Sequence, residues 1–238
     1  MHLADIKVKA SRCVVLFSRS SLNEGALKGM PGRGRIFAFS ARRVAEAVQA
    51  LGRVDLILAG DGPAPDGARL LPQRGHGFGE RLKNAFEDAR AAGYTEIVAV
   101  PGDVPGLSEA QLSAAFRALE TRDVVLGPSP DGGVWLIGSR AGTDLSELFE
   151  KVPWRTAGVF SGLVRNAPGA ALLDTLLDID RPSDLAVLAS EPGLDPALAA
   201  LLRSLRPVPV FPTRVRQTRT HGSRPVAPAR APPARLAA

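Results

Sequence analysis

The sequence predicts an α/β fold with a mostly parallel sheet covered by helices on both faces. Short runs rich in Val, Ile and Leu recur along the chain, segments with helical spacing separate them, and glycine or a capping residue bounds several of those segments. Residues 13–17 (CVVLF) read as a buried strand, followed by a long glycine-rich loop through Arg35. Residues 37–51 place Val44, Val48 and Leu51 on one helical face and stop at Gly52. Residues 54–59 (VDLILA) give a second strand, residues 78–92 a helix ended by Gly93, and residues 97–100 (IVAV) a third strand. Ser108 opens a helix over residues 108–119, with Gln111 three positions on in the reciprocal capping pattern. Two further strands, at residues 124–126 and 134–137, flank an Asp-Gly-Gly turn, and helices over residues 182–189 and 196–205 close the domain.

The 238 residues are 45% hydrophobic and 5% aromatic, so one aliphatic core is expected. The 30 basic and 24 acidic residues give a formal charge of +6. All of that excess lies beyond residue 206: Arg214, Arg216, Arg219, Arg224, Arg230 and Arg235 stand there with no acid. A folded domain over residues 1–206 and a disordered Pro/Arg/Ala-rich tail over residues 207–238 are therefore expected. The charge belongs to the tail and argues for no specific nucleic-acid partner. No apolar run reaches membrane-spanning length, residues 1–10 lack a secretory pattern, and Cys13 is the single cysteine. A cytoplasmic bacterial protein follows as the expectation; the oligomeric state is not legible.

Ligands of parallel sheets sit beyond the carboxyl ends of the strands, so the loops there hold the candidate residues. Asp103, in Pro101-Gly102-Asp103-Val104-Pro105, follows a buried strand. It suits a Mg2+ or Mn2+ ion that takes only one or two protein carboxylates when phosphates supply the rest, and equally suits an organiser of its own turn. Asp131, Gly132 and Gly133 form a plain hairpin turn, or a close approach to a sugar or phosphate; the two are compatible. Asp178 and Asp180 offer further carboxylates, although Asp180 or Arg181 also suits the cap of a helix beginning at Pro182. Lys28 lies in the loop after the first strand, where it could neutralise a diphosphate, with solvated loop charge as the ordinary alternative. Gln73, Arg74, Gly79 and Arg81 surround a glycine-rich helix start that favours anions, with solvated loop charge as the ordinary alternative. Trp154 suits stacking on a base or sugar, or simple packing. No Walker loop, hydrolase elbow or histidine metal spacing is present, and no catalytic base can be named.

Taken in order, Gln73-Arg74-Gly75 with Phe78-Gly79-Glu80-Arg81, Gly102 to Leu107, Asp123 to Pro128, Asp131 to Gly138, Leu148-Phe149, Trp154 with Thr156, and Asp178 to Leu185 resemble one family. It is the bacterial glycosyltransferase-A-like family of the nucleotide-diphospho-sugar transferase superfamily, which includes arsenosugar-biosynthesis glycosyltransferases assigned by similarity. The resemblance covers about residues 14–188. At the front, Lys28 matches the family's loop lysine, while Gly29 and Met30 stand where the family has Thr and Arg. The resemblance implies a single-domain three-layer α/β/α sandwich with a mixed, mostly parallel sheet. It implies a metal-dependent transferase that moves sugar from a nucleotide-diphospho-sugar to a small-molecule acceptor. Asp103 would hold Mg2+ or Mn2+ on the diphosphate, Asp178 or Asp180 would assist, and Asp131 to Gly133 would line the sugar or acceptor pocket. Two alternatives share the fold: a nucleotidylyltransferase, and a non-catalytic nucleotide-binding homologue.

Overall fold

The computed structural model describes residues 11–18, 33–62, 64–191 and 193–205. Lys28 with its loop, and the tail at residues 207–238, lie outside the described residues. Seven strands form one sheet: β1 (Arg12–Phe17), β2 (Val54–Ala59), β3 (Arg69–Leu71), β4 (Glu96–Pro101), β5 (Val124–Pro128), β6 (Val134–Arg140) and β7 (Ala171–Leu172). Their order is β3-β2-β1-β4-β6-β5-β7. Only β6 among them runs against the rest, pairing antiparallel with both β4 and β5. The sheet is mixed and mostly parallel.

The helices are α1 (Arg33–Leu51), α2 (Phe78–Ala91), α3 (Glu109–Leu119), α4 (Leu145–Leu148), α5 (Val159–Asn166), α6 (Pro182–Ala189) and α7 (Pro196–Ser204). The layering follows from the two side-chain periods. Along β1, Cys13, Val15 and Phe17 enter one apolar cluster while Val14 and Leu16 enter the other. Helix α2 covers the first face with Leu82, Ala85, Phe86 and Ala89, at helical spacing. Helices α1 and α3 cover the second with Val44, Ala47 and Val48, and with Leu112, Ala115, Phe116 and Leu119. A third, smaller cluster joins the start of α1 to α6 and α7 through Ile36, Phe39, Ile179, Leu188 and Leu198. The three-layer α/β/α architecture is the expected one.

Ser108 caps α3, its backbone N–H donating to the Gln111 side chain at 3.0 Å, as the capping pattern predicts. Strands β3 and β7 and helices α4 and α5 have no counterpart among the sequence expectations. Strands of three and two residues are too short to show a period. Helix α5 contains Gly162, which a propensity reading treats as a breaker. No helix among the described residues is long and apolar enough to cross a membrane.

Candidate metal and nucleotide site

Strand β4 ends at Pro101, and Asp103 stands two residues beyond it, half-buried. After β7 the chain is laced back across the same edge of the sheet. Leu173 N–H donates to Leu126 O (2.9 Å), Leu176 N–H to Pro128 O (3.3 Å) and Ile179 N–H to Asp103 O (3.0 Å). These bonds carry the 178–180 segment from the end of β5 to the loop after β4. Ile179 is fully buried, and its neighbours Asp178 and Asp180 are half-buried. The Asp184 carboxylate accepts the backbone N–H groups of Asp180 (2.8 Å) and Arg181 (2.6 Å), so Asp184 is the carboxylate at the start of α6. Asp180 is therefore not the carboxylate that caps α6.

Asp131 reaches the same place from the β5–β6 connection. Its Oδ1 accepts Gly133 N–H at 2.8 Å, closing the turn, while Ser129 and Gly133 pair through the backbone at 3.1 Å. Gly132 has φ +87°, and a Cβ there would lie far inside contact distance of Ala157 O. Phe160 N–H donates to Gly132 O at 3.0 Å, docking the turn on the start of α5.

Asp131, Asp178 and Asp180 can each place one carboxylate oxygen so that all three lie within 4.8 Å of one another. Burial, and then the charges of Asp103, Asp131 and Asp180, push the Asp178 carboxyl up to about 7. Three carboxylates this close repel unless a proton or a cation intervenes. A hard divalent cation with oxygen ligands fits this donor set, and phosphate oxygens would complete its shell. Asp103 lies outside the closest trio but acts on Asp178 through its charge and carries the Ile179 backbone bond.

The second group of candidates serves mainly as scaffold. Gln73 Nε2 donates to Ala59 O (2.8 Å) and Ser18 O (3.4 Å), tying together the ends of β1 and β2. Arg74 pairs with Asp88 on an exposed surface, with Nε to Oδ2 at 3.2 Å. At the start of α2 the protein's own Glu80 accepts His76 N–H at 2.8 Å; that bond holds its carboxyl below the usual range. Gly79 packs directly under the Trp154 indole, with no room for a Cβ. Trp154 stands at ring-centroid distances of 5.4 Å from Phe78 and 5.5 Å from Phe149, a packing environment. Arg81, on α2, buries its Nε with no protein partner. Lys28 lies outside the described residues.

The sequence and its resemblance put Asp103 with the metal, Asp178 or Asp180 assisting, and Asp131 with the substrate; the structure gathers Asp131 with Asp178 and Asp180. That grouping is not legible from spacing, because 47 positions separate Asp131 from Asp178 and only the fold closes the gap. Ile179, the apolar residue between the two acids, is buried.

The family model described as "Uncharacterized protein conserved in bacteria (DUF2064)" matches residues 59–156. A 3-phospho-D-glycerate guanylyltransferase of Phenylobacterium zucineum is 35% identical over 112 residues, 44% of this chain and 49% of that protein, so the match spans about half that relative's length. A phosphoenolpyruvate guanylyltransferase of Geodermatophilus obscurus is 31% identical over 177 residues, 70% of this chain and 78% of that protein. Among solved structures, a Desulfovibrio desulfuricans G20 protein assigned to the nucleotide-diphospho-sugar transferases superposes with a TM-score of 0.68 at 23% identity, covering 82% of this chain and 98% of the other. The chain belongs to the same family as the Geodermatophilus obscurus guanylyltransferase, on the nucleotide-diphospho-sugar transferase fold.

Proposed function

We propose that the chain is a divalent-metal-dependent nucleotidylyltransferase that moves a guanylyl group from GTP to the phosphate of a small phosphorylated carboxylic acid. The observation that carries this reading is the carboxylate cluster at the sheet edge, in a chain whose relatives are guanylyltransferases. An acceptor phosphate oxygen attacks the α-phosphorus of GTP, a new P–O bond forms, the bond to the bridging oxygen breaks, and pyrophosphate leaves with the electron pair. The acceptor phosphate is ionised at neutral pH, with its second pKa at about 6, so the protein need supply no general base. Asp131, Asp178 and Asp180 would hold the cation, with the Asp103 charge acting on Asp178. A bound Mg2+ or Mn2+ would neutralise phosphate charge and stabilise the charge developing on the leaving pyrophosphate.

Sugar transfer from a nucleotide-diphospho-sugar would use the same fold and metal but break the bond on the sugar side of the diphosphate. Product analysis separates the two. With Mg2+ or Mn2+, GTP and 3-phosphoglycerate or phosphoenolpyruvate, the expected products are pyrophosphate and a guanylylated acid. Release of nucleoside diphosphate from UDP- or GDP-sugars, with no pyrophosphate from GTP, overturns guanylyl transfer.

A further inference from the structure

The third apolar cluster has no place in the chemistry above, yet it sits against the site. It joins Ile36 and Phe39 of α1 to Leu188 of α6 and Leu198 of α7, and its remaining buried member is Ile179. That residue lies between the two acids that share a cation-sized space with Asp131. In an extended segment, successive side chains point to opposite sides. Seating Ile179 in the cluster therefore turns Asp178 and Asp180 the other way. The backbone is fixed at the same point by Ile179 N–H donating to Asp103 O at 3.0 Å, and one residue later by Asp184 accepting Asp180 N–H at 2.8 Å.

We propose that Ile179 is a positioning residue: its burial against α1, α6 and α7 aims the Asp178 and Asp180 carboxylates at the Asp131 turn and so sets the affinity of the site for a divalent cation. The α6–α7 pair then acts as the socket for this pivot. The inference rests on the metal reading given under Proposed function. Outer-shell residues that orient metal ligands typically change affinity by roughly 10–100-fold when removed.

The test titrates Mn2+ into the full chain by electron paramagnetic resonance, alongside thermal melting in chelator. Ile179→Ala is expected to weaken Mn2+ binding by about tenfold or more. Leu198→Ala opens a cavity in the same cluster away from the carboxylates. It is expected to lower the melting temperature and to weaken Mn2+ binding by clearly less than Ile179→Ala does. Should Ile179→Ala fail to fold, Ile179→Val is expected to give a smaller loss of affinity in the same direction, and Ile179→Leu to restore most of it. Wild-type affinity in a folded Ile179→Ala or Ile179→Val chain, or an equal loss in Leu198→Ala, overturns the positioning role alone. A wild-type chain that takes up no Mn2+ overturns the metal reading, and the positioning role with it.

Discussion

Replacing Asp178 with Asn is expected to lower turnover by about a thousandfold or more while raising the melting temperature of the metal-free protein at pH 8. The two effects have one cause. Asp178 is a half-buried member of the cluster, and its carboxyl is pushed up to about 7 by burial and by Asp103, Asp131 and Asp180. In the unfolded chain an aspartate ionises near about 3.9. Between those values the folded, metal-free state binds the extra proton, so its stability falls with rising pH. The favourable contribution is fully present below about 4 and is lost as the pH rises through about 7. The wild-type protein in chelator should therefore melt at progressively lower temperature from pH 5 to pH 8. Asp178→Asn should show a flatter profile and melt higher at pH 8. With a metal at the site the ionised carboxylate is the useful form, so the same substitution removes a ligand and turnover collapses. Calorimetric melts across pH, with and without Mn2+, check both halves. A pH-independent wild-type melt in chelator would remove the crowding of charge on which the site assignment stands.

The second large effect is expected at Gly132. Its φ of +87° lies in the region that side chains rarely adopt, and an added Cβ would meet the Ala157 carbonyl oxygen, a backbone atom with little freedom to retreat. The same residue accepts Phe160 N–H at 3.0 Å, so relief by moving the turn breaks its attachment to α5. Gly132→Ala should destabilise the fold by about 3 kcal/mol, a fall of roughly 6–12 °C in melting temperature for a domain of this size. Since Asp131 is carried on that turn, metal affinity should drop as well. Gly106→Ala is the fitting control, because nothing lies within 4 Å of its Cβ position. Gly132→Ala melting within about 2 °C of wild type would show that the turn is not clamped as described.

These expectations show where sequence reading succeeds. Strands β1, β2, β4 and β6 and helices α1, α2 and α3 are legible from their apolar runs and spacing, whereas α6 and α7 bury only Leu188 and Leu198 and begin at Pro182 and Pro196. Strand β7 was not, since two residues carry no period; yet the chain that follows β7 brings Asp178 to Asp103. The candidate acids were visible as residue types in glycine-rich or alternating contexts. Their grouping was not, because it depends on three backbone hydrogen bonds that run across the sheet edge. Gln73, Gly79 and Trp154 are candidates in the sequence, and the structure places them in strand-tying and ring-packing contacts. The DIDRPSDL segment divides its work: Asp178 and Asp180 face the cluster, Ile179 is buried, Pro182 opens α6 and Asp184 caps it.

The most direct measurement is the position of manganese in a crystal of the full chain, read from its anomalous scattering. A peak is expected inside about 2.5 Å of carboxylate oxygens from Asp178 and at least one of Asp131 and Asp180. A manganese peak elsewhere, with these carboxylates keeping their arrangement and binding nothing, would contradict this assignment.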